Sequence, residues 1–336
     1  MKKILIIQTA YIGDVILATS LIEQLSINFP DAKIDFLLRD GNQSLLQEHP
    51  LINHIYIWNK KKKYSSMISL LKEIRAKKYD YCLNIQRFFN SGLFTLFSKA
   101  RKRVIFDKNP LSFLFKNKVK HLIPHKIDSG HFHEVQRNLQ LLNKIKKINI
   151  PRDPKQLPLS LYTSEQSKEK ICNLTEDYPN YLVMAPSSVW FTKQFSKSKW
   201  IELKDELQSF HIFFIGAPDD FDYLDSIILD SNHCTNLAGK LSLLDSAQLM
   251  KNAKRVLVND SAPLHLASAV QAKTTAIFCS TVPEFGYGPL SKESIIVEVQ
   301  EKLDCRPCGL HGKKECPQGH FKCSKDISIQ KIIDSI

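Results

Sequence analysis

Lys2-Lys3-Ile4-Leu5-Ile6-Ile7-Gln8-Thr9-Ala10-Tyr11-Ile12-Gly13-Asp14 opens the chain, and its reading decides the fold. The apolar run stops after four residues, far short of the roughly 18 that a membrane helix needs. It leads into Gly13 and Asp14 with no small-residue cleavage site, so it predicts a buried first strand rather than a signal peptide, and a protein of the cytoplasm. Gly13 permits a tight turn, and a helical period runs from Asp14 to Asn28. Strand, turn and helix in that order begin a parallel α/β domain.

The same alternation continues along the 336 residues. Strands are expected at Ile4–Gln8, Lys33–Leu38, His54–Trp58, Tyr81–Ile85 and Arg103–Phe106, and helices at Asp14–Asn28, Ser65–Lys77 and about His131–Lys146. Prolines at 151, 154 and 158 mark a linker. The rhythm then restarts, with strands at Tyr181–Ala185, Ile212–Ile215, Val256–Val258 and Thr275–Phe278. Helices are expected at Lys199–Ser209, Asp219–Asp230, Leu243–Asn252 and Pro263–Val270. The expected organisation is two doubly wound Rossmann-like domains, 1–150 and 161–325, with a linker at 151–160, a terminal helix at 326–336 and a central cleft between the domains. An apolar fraction of 43% lets each half bury a core. Ligands of such sheets bind beyond the carboxyl ends of the strands, so residues just after strands carry the functional reading.

Charge is divided unevenly. The chain carries +13, yet residues 1–150 hold 26 Lys and Arg against 11 Asp and Glu, a surplus of 15, while residues 151–336 hold 21 against 23. A basic first half implies an anionic partner: nucleic acid, a membrane surface or a phosphorylated substrate. Clusters at Lys60–Lys63, Lys77-Lys78 and Arg101-Lys102-Arg103 sharpen that reading. Nucleic acid is disfavoured, because no recognition-helix, KH or RNP pattern occurs and the second half has no positive surplus.

Several strand ends carry chemistry. Asp14 is either a helix cap or a general base. No G-x-G-x-x-G occurs, which excludes a dinucleotide fingerprint. After Tyr181–Ala185, the hydroxyls of Ser187, Ser188 and Thr192 and the ammonium of Lys193 suit the oxygens of a diphosphate. After Val256–Val258 comes Asn259-Asp260-Ser261-Ala262-Pro263-Leu264-His265. Ser261 suits an N-cap and Pro263 a first turn, and N–H groups at that helix start would attract phosphate, with His265 on the same turn. In the tail, Cys305, Cys308, Cys316 and Cys323, with His311 and His320, supply enough soft ligands for a tetrahedral metal. Their spacing fits no standard finger, and free thiols or a disulfide-capable loop is the other reading.

Four motifs in order resemble the ADP-heptose:lipopolysaccharide heptosyltransferases of glycosyltransferase family 9. They are Tyr11-Ile-Gly-Asp-Val15, Ala185-Pro-Ser-Ser-Val-Trp-Phe-Thr-Lys193, Asn259–His265 with Phe278-Cys-Ser-Thr281 and Gly286-Tyr-Gly-Pro289, and Cys305-Arg-Pro-Cys308 with Cys316-Pro-Gln-Gly-His320. The resemblance spans the chain. It implies a GT-B fold and an inverting, metal-independent transfer of heptose from an ADP-sugar donor to the lipid A-core acceptor. The enzyme would work without a cofactor, at the cytoplasmic face of the inner membrane. It makes Asp14 the catalytic base and Ser187, Ser188, Lys193, Ser261 and His265 diphosphate contacts. Asp260, with Ala262 beside it, would face the donor, Leu241 would lie by the adenine, and Asp219 or Asp220 would reach the ribose. Lys61, Lys62, Arg101 and Arg103 are the candidates for the acceptor's anionic groups. Two departures bear on the donor sugar: Gln194-Phe195-Ser196 replaces a common Arg-Trp-Pro, and Cys279 stands where glycine is common. A different nucleotide sugar, or a member that binds without transfer, are the competing readings.

Overall fold

The computed structural model describes residues 1–123 and 133–336, with Lys63 described by its backbone alone. Contacts divide the chain into two units, Met1–Tyr162 and Thr163–Ile336.

The first unit is built on six parallel strands. They are β1 (Lys3–Ile7), β2 (Lys33–Arg39), β3 (Ile52–Trp58), β4 (Tyr81–Asn84), β5 (Lys102–Phe106) and β6 (Asn117–Val119), in spatial order β3-β2-β1-β4-β5-β6. β1 lies in the middle, paired with β2 and β4, and Ile4 to Ile7 are fully buried. A strand covered on both faces needs apolar side chains in both directions, which is why the run shows no alternation. Helix α1 (Ile12–Asn28) is buried continuously from Val15 to Ile22. Helices α2 (Lys63–Lys77) and α3 (Phe89–Phe97) follow β3 and β4. Helix α4 (Glu134–Asn143) packs against α1. The helix expected from His131 is this one; residues 131 and 132 lie outside the described residues.

The proline-bearing stretch at 151–160 packs into the first unit rather than standing apart. Leu157 and Leu159 are buried, and the Ser160 amide donates to Thr19 Oγ1 on α1 at 3.0 Å.

The second unit begins with α5 (Glu165–Thr175) and repeats the winding. Its strands are β7 (Tyr181–Ala185), β8 (His211–Phe214), β9 (Cys234–Asn236), β10 (Arg255–Asn259), β11 (Thr274–Phe278) and β12 (Ser294–Glu298). They are all parallel, in order β12-β11-β10-β7-β8-β9. Connecting them are α6 (Lys197–Glu206), α7 (Phe221–Ile228), α8 (Leu243–Asn252) and α9 (Ala262–Ala269). Two short helices, α10 (Lys322–Lys325) and α11 (Ile329–Ile333), close the chain. The end of the chain belongs to this unit's core, where Phe321, Cys323, Ile327 and Ile332 pack with Phe195, Trp200 and Cys279.

In both sheets the winding reverses beside the first strand, between β1 and β4 and between β7 and β10. Strand direction then opens a crevice at the carboxyl ends of those strands. The turns after β1, β7 and β10 therefore occupy the positions where a doubly wound sheet takes its ligand. No helix of the described residues is long and apolar enough to cross a membrane.

One close approach in the first unit tests its packing. A Cβ on Gly92 of α3 would stand 2.5 Å from Asn109 Oδ1 and 3.1 Å from Leu111 Cδ1. Gly92→Ala is expected to destabilise the first unit by roughly 1–3 kcal/mol, an overpacking cost, read as a lowered urea midpoint. An unchanged midpoint would show that the 109–111 turn yields freely.

Candidate active site

In the first unit the turn after β1 is fixed by buried amides. Gln8 Oε1 accepts from the Ala10 amide at 3.1 Å, and Asn42 Nδ2 donates to the Ala10 carbonyl at 3.0 Å. Gln86, just beyond β4, accepts at Oε1 from the Thr9 hydroxyl at 2.6 Å and the Thr9 amide at 3.2 Å. This lattice holds the start of α1, whose third residue is Asp14. Its Oδ2 accepts from the Tyr11 amide at 3.2 Å, so Asp14 does cap the helix. The cap does not account for its electrostatics. Burial pushes the half-buried carboxyl up to about 6, and the negative charge of Glu134 adds to that; the Tyr11 amide and Arg87 pull the other way. A carboxyl in that range is a competent proton acceptor near neutral pH.

Glu134 is a residue that the sequence did not single out. It sits at the start of α4, buried, with His121 Nε2 3.2 Å from each carboxylate oxygen and Arg137 Nε donating to Oε2 at 2.7 Å. Burial raises its proton affinity, but the His121 hydrogen bond and the Arg137 charge outweigh it and hold the carboxyl down at about 2. Glu134 thus stays ionised, a fixed negative charge felt by Asp14. The i,i+3 spacing of Glu134 and Arg137 was the available signal; the link to Asp14, 120 positions earlier, had none.

The other candidates on this unit separate by sheet edge. Lys61 and Lys62 follow β3 at the carboxyl edge and are exposed. Arg101 and Arg103 stand at the opposite edge, where β5 begins. Arg101 pairs with Asp80 at 3.4 Å, and Arg103 donates to the Leu96 carbonyl at 2.7 Å with its guanidinium over the Phe115 ring. The structure therefore does not bring Arg101 and Arg103 to Asp14's edge. Counting charges along a sequence cannot tell one end of a strand from the other.

In the second unit the donor candidates gather at one edge. Beyond β7, Ser187 Oγ donates to Asp220 Oδ2 at 2.9 Å, and the Ala217 amide donates to the same oxygen at 2.7 Å. Asp220 is thereby tied down, while Asp219 is exposed. Gly239 has φ +71°, and a Cβ there would meet Pro218 Cα at 2.9 Å; glycine lets the turn leading to the half-buried Leu241 lie against the turn carrying both aspartates.

Lys193 Nζ lies 2.7 Å from Asp260 Oδ2, which also accepts from the Thr281 hydroxyl at 2.6 Å. An ammonium has three donors, so this pairing fixes Lys193 and leaves two for another acceptor. Asn259 braces the arrangement, accepting from the Phe195 amide at 3.0 Å and donating to the Pro186 carbonyl at 2.6 Å. Ser261 and Ala262 begin α9, and the Ser261 side chain does not cap it. His265 is buried with Nδ1 unpaired, and burial pushes it down to about 4, with Asp260 raising and Lys193 lowering it. At neutral pH it is an uncharged imidazole that offers a hydrogen bond, not a positive charge. Ser188 is half-buried, its carbonyl accepting from Gln194 Nε2 at 2.8 Å. Thr192 is inside the fold: its hydroxyl oxygen accepts from the Lys313 amide at 2.7 Å and from Ser280 Oγ at 3.0 Å.

The cysteine tail is fastened beneath this edge. Arg306 Nε donates to the Cys279 carbonyl at 2.6 Å, Nη2 donates to Thr281 O at 2.7 Å, and Glu298 pairs with the guanidinium. Cys305, Cys308, Cys316, Cys323 and His320 line a cavity of about 360 Å³, with the four sulfurs as free thiols. Burial raises Cys323 to about 12 and the neighbouring sulfurs add to it. Among the described residues no group of three or more His, Cys, Asp or Glu side chains is placed to hold a metal ion.

Two Rossmann-like sheets, each with polar side chains at its switch point, make up a GT-B fold. The Glycosyltransferase family 9 (heptosyltransferase) profile matches residues 67–319, and the chain belongs to that family. It is 30% identical over 284 residues to lipopolysaccharide heptosyltransferase 3 of Escherichia coli, covering 80% of this chain and 81% of that one. It is 26% identical to lipooligosaccharide heptosyltransferase 2 of Campylobacter jejuni, covering 99% and 96%. In fold it is similar to the E. coli ADP-heptose lps heptosyltransferase II, with a TM-score of 0.79 and 21% identity over 100% of this chain and 97% of that one.

The Asp14 environment carries a stability consequence. A folded carboxyl protonated up to about pH 6, against an ordinary value of 3.8, binds more protons than the unfolded chain between those values, so stability falls as pH rises through that window. Asp14→Asn should raise the melting temperature by a few degrees above pH 7 and leave it unchanged in acid below the ordinary aspartate range. Coincident melting curves above pH 7 would mean that the carboxylate is well solvated.

Proposed function

We propose that this glycosyltransferase moves a heptose from ADP-heptose onto the heptose or Kdo residues of the lipopolysaccharide inner core, inverting the anomeric carbon. The observation that carries the reading is Asp14, a carboxylate at the β1 switch point whose proton affinity is raised into the working range of a general base. Family membership supports the sugar. Among the solved structures of similar fold, one E. coli heptosyltransferase is described with ADP-2-deoxy-2-fluoro heptose.

In this mechanism Asp14 takes the proton of an acceptor hydroxyl as that oxygen attacks the anomeric carbon and the ADP oxygen departs. One displacement with one base inverts the centre. Glu134, held by Arg137 and His121, is not free to serve as a covalent nucleophile. Lys193, the hydroxyls of Ser187, Ser188 and Ser261, the Ala262 amide and the neutral His265 would bind the diphosphate; such fixed donors contribute roughly 2.7–4 kcal/mol each in comparable sites. Asp260 aims Lys193, and Thr192 braces the loop from within. Leu241 would flank the adenine, with Asp219 or Asp220 at the ribose. With an ammonium and a helix start facing the leaving group, the reading calls on no divalent cation. Lys61 and Lys62 would meet anionic groups of a lipid A-core acceptor at the cytoplasmic face of the inner membrane, in keeping with the basic first half.

The test is turnover of ADP-heptose beside other nucleotide sugars on a panel of truncated core acceptors, in parent and Asp14→Asn proteins. ADP-heptose should be preferred. Asp14→Asn should lower kcat by roughly 10²–10⁴, the usual span for loss of a general base, while ADP affinity stays nearly intact. Transfer at the parent rate by Asp14→Asn would refute the assignment of the base. Lys193→Met should instead weaken ADP binding roughly tenfold or more, in line with loss of a charge-assisted phosphate contact. Unchanged ADP affinity would remove Lys193 from the donor site.

A further inference from the structure

Among the first unit's exposed large apolar side chains, four stand on two adjoining loops. Phe88 and Phe89, at the start of α3, are 61% and 51% exposed, and Phe113 and Leu114, in the turn between β5 and β6, are 72% and 48% exposed. Single exposed apolar residues are ordinary, but a cluster of aromatic ones is not. These four are carried on two loops that are fastened to each other. Asn109, buried, donates from Nδ2 to the carbonyls of Phe88 at 2.9 Å and Gln86 at 3.3 Å, and its Oδ1 accepts from the Leu111 amide at 3.0 Å. Ser112 Oγ donates to the Asp107 carbonyl at 2.8 Å, closing the second loop on itself. Gly92 allows the close approach of helix and loop. The exposure is built in by the hydrogen bonds of the buried Asn109 and of Ser112 rather than left by slack chain.

Charge completes the pattern. Asp107 is the single acid between residues 81 and 120, and its carboxylate accepts from the His121 amide at 2.9 Å. Lys108 and Lys116 are exposed on the loop that bears Phe113. Aromatic rings favour the boundary between headgroups and acyl chains, and lysines beside them are drawn to anionic headgroups. Both loops follow the carboxyl ends of β4 and β5, the edge that also carries Asp14.

We propose that Phe88, Phe89, Phe113 and Leu114, flanked by Lys108 and Lys116, form a docking face for an anionic phospholipid bilayer. The inference rests on the proposed function only in that a lipid-linked acceptor would be met there. Binding to lipid is measured separately from transfer, so either can fail alone.

The experiment is co-sedimentation of the full chain with vesicles of phosphatidylglycerol and phosphatidylethanolamine, with pure phosphatidylcholine as control. The parent should bind the anionic vesicles and not the control. The double variant Phe88→Ser/Phe113→Ser, altered only at exposed positions, should lose roughly tenfold in vesicle affinity, as expected when interfacial aromatic anchors go. Its turnover on a lipid-free acceptor should stay at the parent level. A second variant, Phe113→Trp, should gain a blue-shifted emission component when anionic vesicles are added. Failure of the parent to bind vesicles would overturn the proposal. So would parent-like vesicle binding by the double variant, an unshifted emission, or loss of lipid-free turnover in the double variant.

Discussion

A carboxylate kept short of water in the field of a second one that is held ionised is the constraint on which the reading of the first unit depends. Each half of that arrangement has its own support. Asp14 is positioned by α1, and α1 by a turn that Gln8, Gln86 and Asn42 stitch to the ends of β1 and β4. Glu134 keeps its charge because His121 and Arg137 surround it. Without those partners a buried carboxylate would take up a proton, and the field at Asp14 would weaken.

The second unit uses opposite charge to a related end. Lys193 is paired with Asp260 in a setting where an unpaired ammonium would be costly, and the pair is locked by Thr281 and Asn259. The tail, through Arg306 and the Thr192–Lys313 contacts, holds the strand ends from below. The cysteines thus lie in a segment that shapes the loop after β7.

The central strands were legible because a strand buried on both faces must be apolar throughout, as in Ile4–Ile7 and Tyr181–Ala185. Three of the four edge strands, β6, β9 and β12, were missed for the converse reason. Asn117-Lys-Val, Cys234-Thr-Asn and the half-exposed Ser294–Glu298 bury too little to print a pattern. Asp14, Lys193, Asp260 and His265 could be found from local order, since each follows a strand and stands at or near a helix start. Burial could not be read: Thr192 was expected at the oxygens of a diphosphate yet lies inside, and no sequence signal shows that burial holds His265 neutral. Nor could the Glu134 field on Asp14 be seen, because it arises only when α4 returns to α1.

The most direct test of this account is the carboxyl ¹³C shift of Asp14 in the unliganded protein, followed from acid to neutral pH. The account predicts a midpoint near 6, with Glu134 still ionised below that of any ordinary glutamate. A midpoint at the ordinary aspartate value of 3.8 would contradict it.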